Sequence, residues 1–167
     1  GCNPPGTGDW ILNGSNVTVC DGETLTINGN ISLDYNSSLI INNSDINNSG
    51  GLNLLNNSII SIYNSTVIIN NTGIIYQNSS FNIINSSFEI ELLYLQSTSS
   101  GFINKSKLGS SFYYLHTNSS ITLINSNFNQ SVLIFDDLSK GIIKNSMILL
   151  WHFYHYKEQI AMQNQMQ

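Results

Sequence analysis

Ile60-Ser61-Ile62-Tyr63-Asn64-Ser65-Thr66-Val67 runs as apolar-x-apolar up to an Asn-Ser pair and resumes its apolar side chains at Val67. The same line recurs at a step of 20 to 21 residues in both directions, with the pair at Asn43-Ser44, Asn64-Ser65, Asn85-Ser86, Lys105-Ser106, Asn125-Ser126 and Asn145-Ser146. Two residues before each pair stand Ile41, Ile62, Ile83, Ile103, Leu123 and Ile143. Two residues beyond each serine stand Ile46, Val67, Phe88, Leu108, Phe128 and Ile148. A repeat of this length signals a solenoid, because one unit cannot bury its own apolar face and must stack on the next.

The alternation in Leu39-x-Ile41, Ile60-x-Ile62, Phe81-x-Ile83 and Ile121-x-Leu123 has the period of a half-buried strand. Asparagine tolerates the left-handed backbone conformation better than other non-glycine residues, so the Asn-Ser pair reads as a corner. A further apolar patch closes each unit: Leu52 to Leu55, Ile74 to Tyr76, Leu92 to Leu95, Phe112 to Leu115 and Val132 to Phe135. Two or three strands per unit, and no proline after Pro5, describe a coil of parallel strands. Stacking at about 4.8 Å per turn should pile the asparagines into an inward-facing hydrogen-bonded ladder and the Ile and Leu columns into a continuous interior.

On these residues, and on the opening Asn16-Val17-Thr18-Val19-Cys20 and Glu23-Thr24-Leu25-Thr26-Ile27, the chain resembles the right-handed parallel β-helix proteins of the pectate-lyase-like superfamily from about Trp10 to Leu150. The resemblance implies an all-β fold: a single-stranded right-handed parallel β-helix, secreted or on the cell surface. Many members are surface proteins without catalysis, so it carries no reaction with it. The expected organisation is a cap segment over 1–16, an irregular first rung followed by six regular ones over 17–148, and a helical or docking segment over 149–167. Helical spacing of Leu150, Phe153, Tyr154, Lys157, Ile160 and Ala161 motivates that last expectation. Such a segment would cover the open end of the coil or dock on a neighbour.

Charged residues make up only 9% of the 167, with a net charge of −5 and no arginine, while asparagine and serine number 26 and 25. No bidentate phosphate clamp is available and the net charge repels a nucleic-acid backbone, which excludes DNA and RNA as partners. No run of 18 apolar residues occurs, so no helical membrane span is expected. So few carboxylates would also suit an acidic or hot habitat, since little stability is lost when they protonate.

Cys2 and Cys20, the only cysteines, lie near one end. A bridge between them would tie the leading segment to the first rung in an oxidising compartment; two unpaired thiols and a lipid anchor on Cys2 are the alternatives. The start at Gly1-Cys2, without methionine, fits a processed secreted protein.

The acceptor triplet Asn-x-Ser/Thr occurs fourteen times, at Asn13, Asn16, Asn30, Asn36, Asn42, Asn47, Asn56, Asn64, Asn70, Asn78, Asn85, Asn104, Asn118 and Asn129. Asn-Ser corners create some triplets automatically, yet most lie outside the corner column. N-linked sugars at several of them would keep so uncharged a surface soluble, with the ladder asparagines the least modified, and would fit an archaeal or eukaryotic exterior.

Catalytic side chains are sparse. Asp136-Asp137 is the one adjacent acidic pair, and neighbours on a strand point to opposite faces unless they occupy a turn. Glu89 and Glu91 would share a face, as a solvated surface or a cation site, while His152, His155 and Glu158 recur every third residue. No phosphate loop or metal-spaced Cys/His cluster occurs, so no cofactor, metal centre or catalysis is expected. The expected role is a non-enzymatic, N-glycosylated extracellular structural protein, a subunit of a surface filament, sheath or adhesive layer that associates with itself through its ends. The alternative is a carbohydrate-binding or polysaccharide-degrading β-helix, with Tyr63, Tyr76, Tyr94 and Tyr113 available to stack on sugar rings.

Overall fold

β-branched and aromatic residues at every second position favour extended chain, and an uninterrupted series of such segments has to find partners outside itself. In the computed structural model, which describes residues 2–109, 112–153 and 160–163, they find them one turn of the coil away. Among the described residues nineteen strands form, every pairing between them is parallel, and none of these residues is helical. The architecture is a right-handed parallel β-helix, the hand that parallel crossovers take in about 98% of cases.

Each rung has three sides. The first is a five-residue strand, such as Ser38–Asn42, Ile59–Tyr63 or Ser80–Ile84, and these stack into one eight-stranded sheet. The Asn-Ser corner follows. The second and third sides begin as separate strands, Asp45–Asn48 and Leu52–Leu54, and merge in later rungs into Thr66–Ile75, Ser87–Leu95 and Asn127–Phe135. The merged strands keep a bend, recorded as a register shift between Ile90 and Leu92 and again between Phe128 and Val132.

Register is what makes the core. Cys20, Ile41, Ile62, Ile83, Ile103, Leu123 and Ile143 pair in unbroken succession, and all are buried. On the third side Trp10, Ile31, Leu52, Gly73, Leu93, Tyr113 and Leu133 form a second buried column. Bulk is traded between rungs: the Phe81 ring fills the space beside Gly101, where an added Cβ would fall 2.3 Å from Phe81 Cζ. Interior packing therefore depends on the neighbouring rung as much as on the rung itself.

Among the described residues strands enter both end segments. Trp10–Leu12, inside the expected cap, already pairs with Ile31–Leu33, and the rung from Val17 to Leu33 is regular, with Gly22 (φ 70°) at the corner. At residues 149–153 and 160–163 strands form in place of the expected helical turn, and Tyr154 and Lys157 of that spacing lie outside the described residues. Met147–Phe153 is a strand against Asn127–Phe135, and Ile160–Gln163 is a strand against Lys140–Lys144. The preceding rung offers a row of unpaired N–H and C=O groups, which an isolated helix would leave unused. His155 and Glu158 lie outside the described residues.

Candidate functional site

The corner column is where the repeat concentrates its polar chemistry. Asn43, Asn64, Asn85, Lys105, Asn125 and Asn145 all adopt left-handed φ, between 45° and 51°, in line with the corner reading. The left-handed residue reverses the strand's alternation, so it points outward and the serine after it points in. This corrects the expected inward asparagine ladder: all six left-handed residues are exposed, and the serines carry the ladder instead.

That serine ladder runs the length of the coil. Ser44 N–H donates to Ser65 Oγ at 3.0 Å, Ser65 N–H to Ser86 Oγ at 3.1 Å, and Ser86 N–H to Ser106 Oγ at 3.1 Å. Ser106 and Ser126 continue it to Ser126 and Ser146. Each hydroxyl in turn donates within its own rung to the carbonyl two residues back, as Ser65 does to Tyr63 at 2.6 Å and Ser86 to Ile84 at 2.8 Å. A hydroxyl can accept and donate at once, which carboxamides in the same place could match only with more volume. Outside, one asparagine step is bonded: Asn85 Nδ2 donates to Asn64 Oδ1 at 2.7 Å.

Sequence reasoning missed a second serine column. Ser37, Ser58, Ser79, Ser99, Ser119 and Ser139 are wholly buried at the turn that ends each rung. Each follows two left-handed residues, such as Tyr35-Asn36, Gln77-Asn78 and Thr117-Asn118. The period of 20 to 21 was the available signal, hidden because the first left-handed position carries a different residue on every rung, although the second is asparagine on four of the six.

An open groove of 790 Å³ runs along the first corner. It is lined by Asn64, Asn85, Asn125 and Asn145, by Thr66, Ser87, Asn127 and Met147, and by Lys105 and Lys107. Its chemistry is that of amides and hydroxyls with two cations, suited to polyhydroxylated or anionic ligands by hydrogen bonding.

The acidic candidates are not brought together. Asp136 and Asp137 do occupy a turn, but each has its own duty. Asp136 Oδ2 accepts from Tyr114 Oη at 3.0 Å, and its Oδ1 caps the Asp137 N–H at 2.8 Å. Asp137 Oδ2 lies 3.5 Å from His116 Nδ1, the same ring nitrogen that meets Thr117 Oγ1 at 2.9 Å. A relay needs the acid and the nucleophile on opposite nitrogens, so this cluster is not arranged for one. Glu89 and Glu91 are both exposed, and no group of three or more potential metal ligands occurs among the described residues. Of the candidate tyrosines, Tyr63, Tyr76 and Tyr94 are half-buried, and Tyr113 is buried against Phe128, with ring centroids 4.8 Å apart, and cannot meet a sugar; the half-buried Tyr114 lies 5.8 Å from Tyr94.

Cys2 and Cys20 are joined, with Cα atoms 4.8 Å apart, and Cys20 sits at the head of the interior column. The bridge ties the leading segment over the first rung. The acceptor asparagines scatter over several columns: Asn13, Asn16, Asn36, Asn47, Asn64, Asn70, Asn78, Asn85 and Asn118 are exposed, and Asn30, Asn42, Asn56 and Asn104 are half-buried. The side chain of Asn129 lies outside the described set.

Comparison of the chain with protein-family models, with curated proteins and with solved structures finds no match in any of the three.

Proposed function

We propose that the protein is a secreted, N-glycosylated structural unit of an extracellular assembly, a filament, sheath or adhesive layer, and a non-enzymatic relative of the pectate-lyase-like β-helices from an archaeal surface. The observation that carries this reading is the state of the two ends. Among the described residues Val17–Asp21 closes the first sheet at one end and Ile160–Gln163 at the other, each with a single partner strand. Both ends present the same kind of parallel edge, so the tail of one copy offers the head of the next what an internal rung would offer. Such a contact is heterologous and repeats into a filament. Isolated as a homogeneous protein, the chain should form ordered filaments by electron microscopy at high concentration; a monodisperse monomer at every concentration tested would contradict the reading.

A second reading, carbohydrate binding, is favoured by the amide- and lysine-lined groove and by the half-buried Tyr94–Tyr114 pair. Retention of the protein on an insoluble polysaccharide would establish binding in place of the first reading, and release of oligosaccharides from a mixed-polysaccharide panel would establish degradation.

A further inference from the structure

Fourteen acceptor triplets do not offer fourteen equivalent sites, because a sugar and the fold compete for the same atom. In N-glycosylation the Asn Nδ2 bonds to the anomeric carbon of a lipid-phosphate-linked oligosaccharide. The carbon–oxygen bond to phosphate breaks, the lipid phosphate leaves with the electron pair, and the Nδ2 proton passes to a base. The amide that results is bulkier and has one N–H fewer. Asn42 already gives its Nδ2 to Asp21 Oδ1 at 3.0 Å, and Asn56 gives its own to Asp34 Oδ1 at 2.6 Å. Asn70 donates to Asn47 Oδ1 and to the Asn48 carbonyl, and Asn85 donates to Asn64. These side chains hold one rung to the next.

Three acceptors differ at the reacting atom, although Asn78 Oδ1 does accept from Thr98 Oγ1 on the next rung. Asn36, Asn78 and Asn118 occupy the second left-handed position of the rung-ending turn, with φ of 61°, 59° and 59°, and all are exposed. Their backbone N–H groups are fixed by bonds to the next rung, to the carbonyls of Asn56, Ser97 and Asp137 at 2.9 to 3.1 Å. Among the described residues their Nδ2 atoms bond to nothing in the protein. On the rungs between them the same column holds Asn57, followed by Ser58-Ile59, and Thr98, neither of which is an acceptor. The three sites therefore fall on alternate rungs, about 9.6 Å apart at twice the strand spacing.

We propose that Asn36, Asn78 and Asn118 form a single row of N-glycans along the rung-ending turn, held out by a rigid left-handed backbone and spaced so that neighbouring sugars do not collide. This rests on the glycoprotein reading above and names where the sugar goes. It would place the sugar on a different edge from the Asn-Ser groove, leaving that groove clear of the row.

The test is glycopeptide mass spectrometry on the full chain secreted from an N-glycosylating eukaryotic host. Occupancy should be highest at Asn36, Asn78 and Asn118 and low at Asn42, Asn56, Asn70 and Asn85. The variant S38A/S80A/S120A removes the three triplets without touching the left-handed asparagines, and should lose the larger part of the glycan mass while keeping the parent's circular dichroism. Higher occupancy at the four inter-rung asparagines than at the three turn sites would overturn the row while leaving the protein a glycoprotein. Sugar on none of the fourteen would remove the glycoprotein reading itself, and the row with it.

Discussion

Each rung has two corners that bury a serine, and the two serine columns are not equivalent in what they hold. At the Asn-Ser corner the hydroxyl is the sole acceptor for the N–H of the serine one rung earlier, so it binds rung to rung. At the rung-ending turn Ser119 and Ser139 instead accept from an N–H three residues back that already has a partner: His116 N–H reaches both Ser119 Oγ and the Leu95 carbonyl at 2.9 Å. Asp136 N–H is shared in the same way between Ser139 Oγ and the Leu115 carbonyl. Burial does not rank them, since the turn serines are the more deeply buried. What ranks them is whether a substitution orphans a buried donor.

Ser86→Ala leaves Ser65 N–H without a partner and should cost about 1–3 kcal/mol, read as a lowered denaturation midpoint. Ser79→Ala should fall in the same range although it belongs to the other column, because Ser58 N–H depends on Ser79 Oγ at 3.1 Å. A neutral Ser86→Ala would break the comparison outright.

Lys105 sharpens it from the conformational side. It holds the corner's left-handed φ of 50° without the short polar side chain that eases that conformation. Lys105→Asn should stabilise by about 0.5–1 kcal/mol, the free-energy equivalent of asparagine's several-fold enrichment in that conformation. Loss of stability would mean that the lysine makes a contact the corner needs.

The smallest effects belong to the turn. Ser119→Ala orphans nothing and should shift stability by about 0.5 kcal/mol or less. Ser99 Oγ is buried with no partner, so Ser99→Ala should be neutral or stabilising, a result that a mere count of buried serines would not give.

The interior was legible in the sequence because Ile41, Ile62 and Ile83 combine two periods at once, the alternation of a strand and the recurrence of a rung. Which member of Asn-Ser faces inward was not, since a left-handed residue inverts the alternation that the sequence otherwise reveals. The second serine column was obscured by composition: Tyr35, Gln77, Ser97 and Asp137 occupy one left-handed position and share nothing, while 25 serines conceal the six that matter. Leu150 and Phe153 satisfy helical spacing and also fall opposite Val132 and Phe135. An open edge of paired strands decides between the two periods, and it exists only in three dimensions. The candidate site was least legible, because the groove arises from stacking residues that lie 20 to 21 apart rather than from any local motif.

The account depends on rungs lying directly over one another in the stated register, and paired cysteines read that register. Ser80 and Ser100 are partners on adjacent rungs, whereas Ser80 and Ser120 are two rungs apart, about 9.6 Å and beyond the reach of a disulfide. With the native bridge intact, the variant S80C/S100C should oxidise to an intramolecular disulfide with the fold retained, and S80C/S120C should keep two free thiols. Ready closure of S80C/S120C, or failure of S80C/S100C in a folded protein, would contradict the stacking on which every column rests.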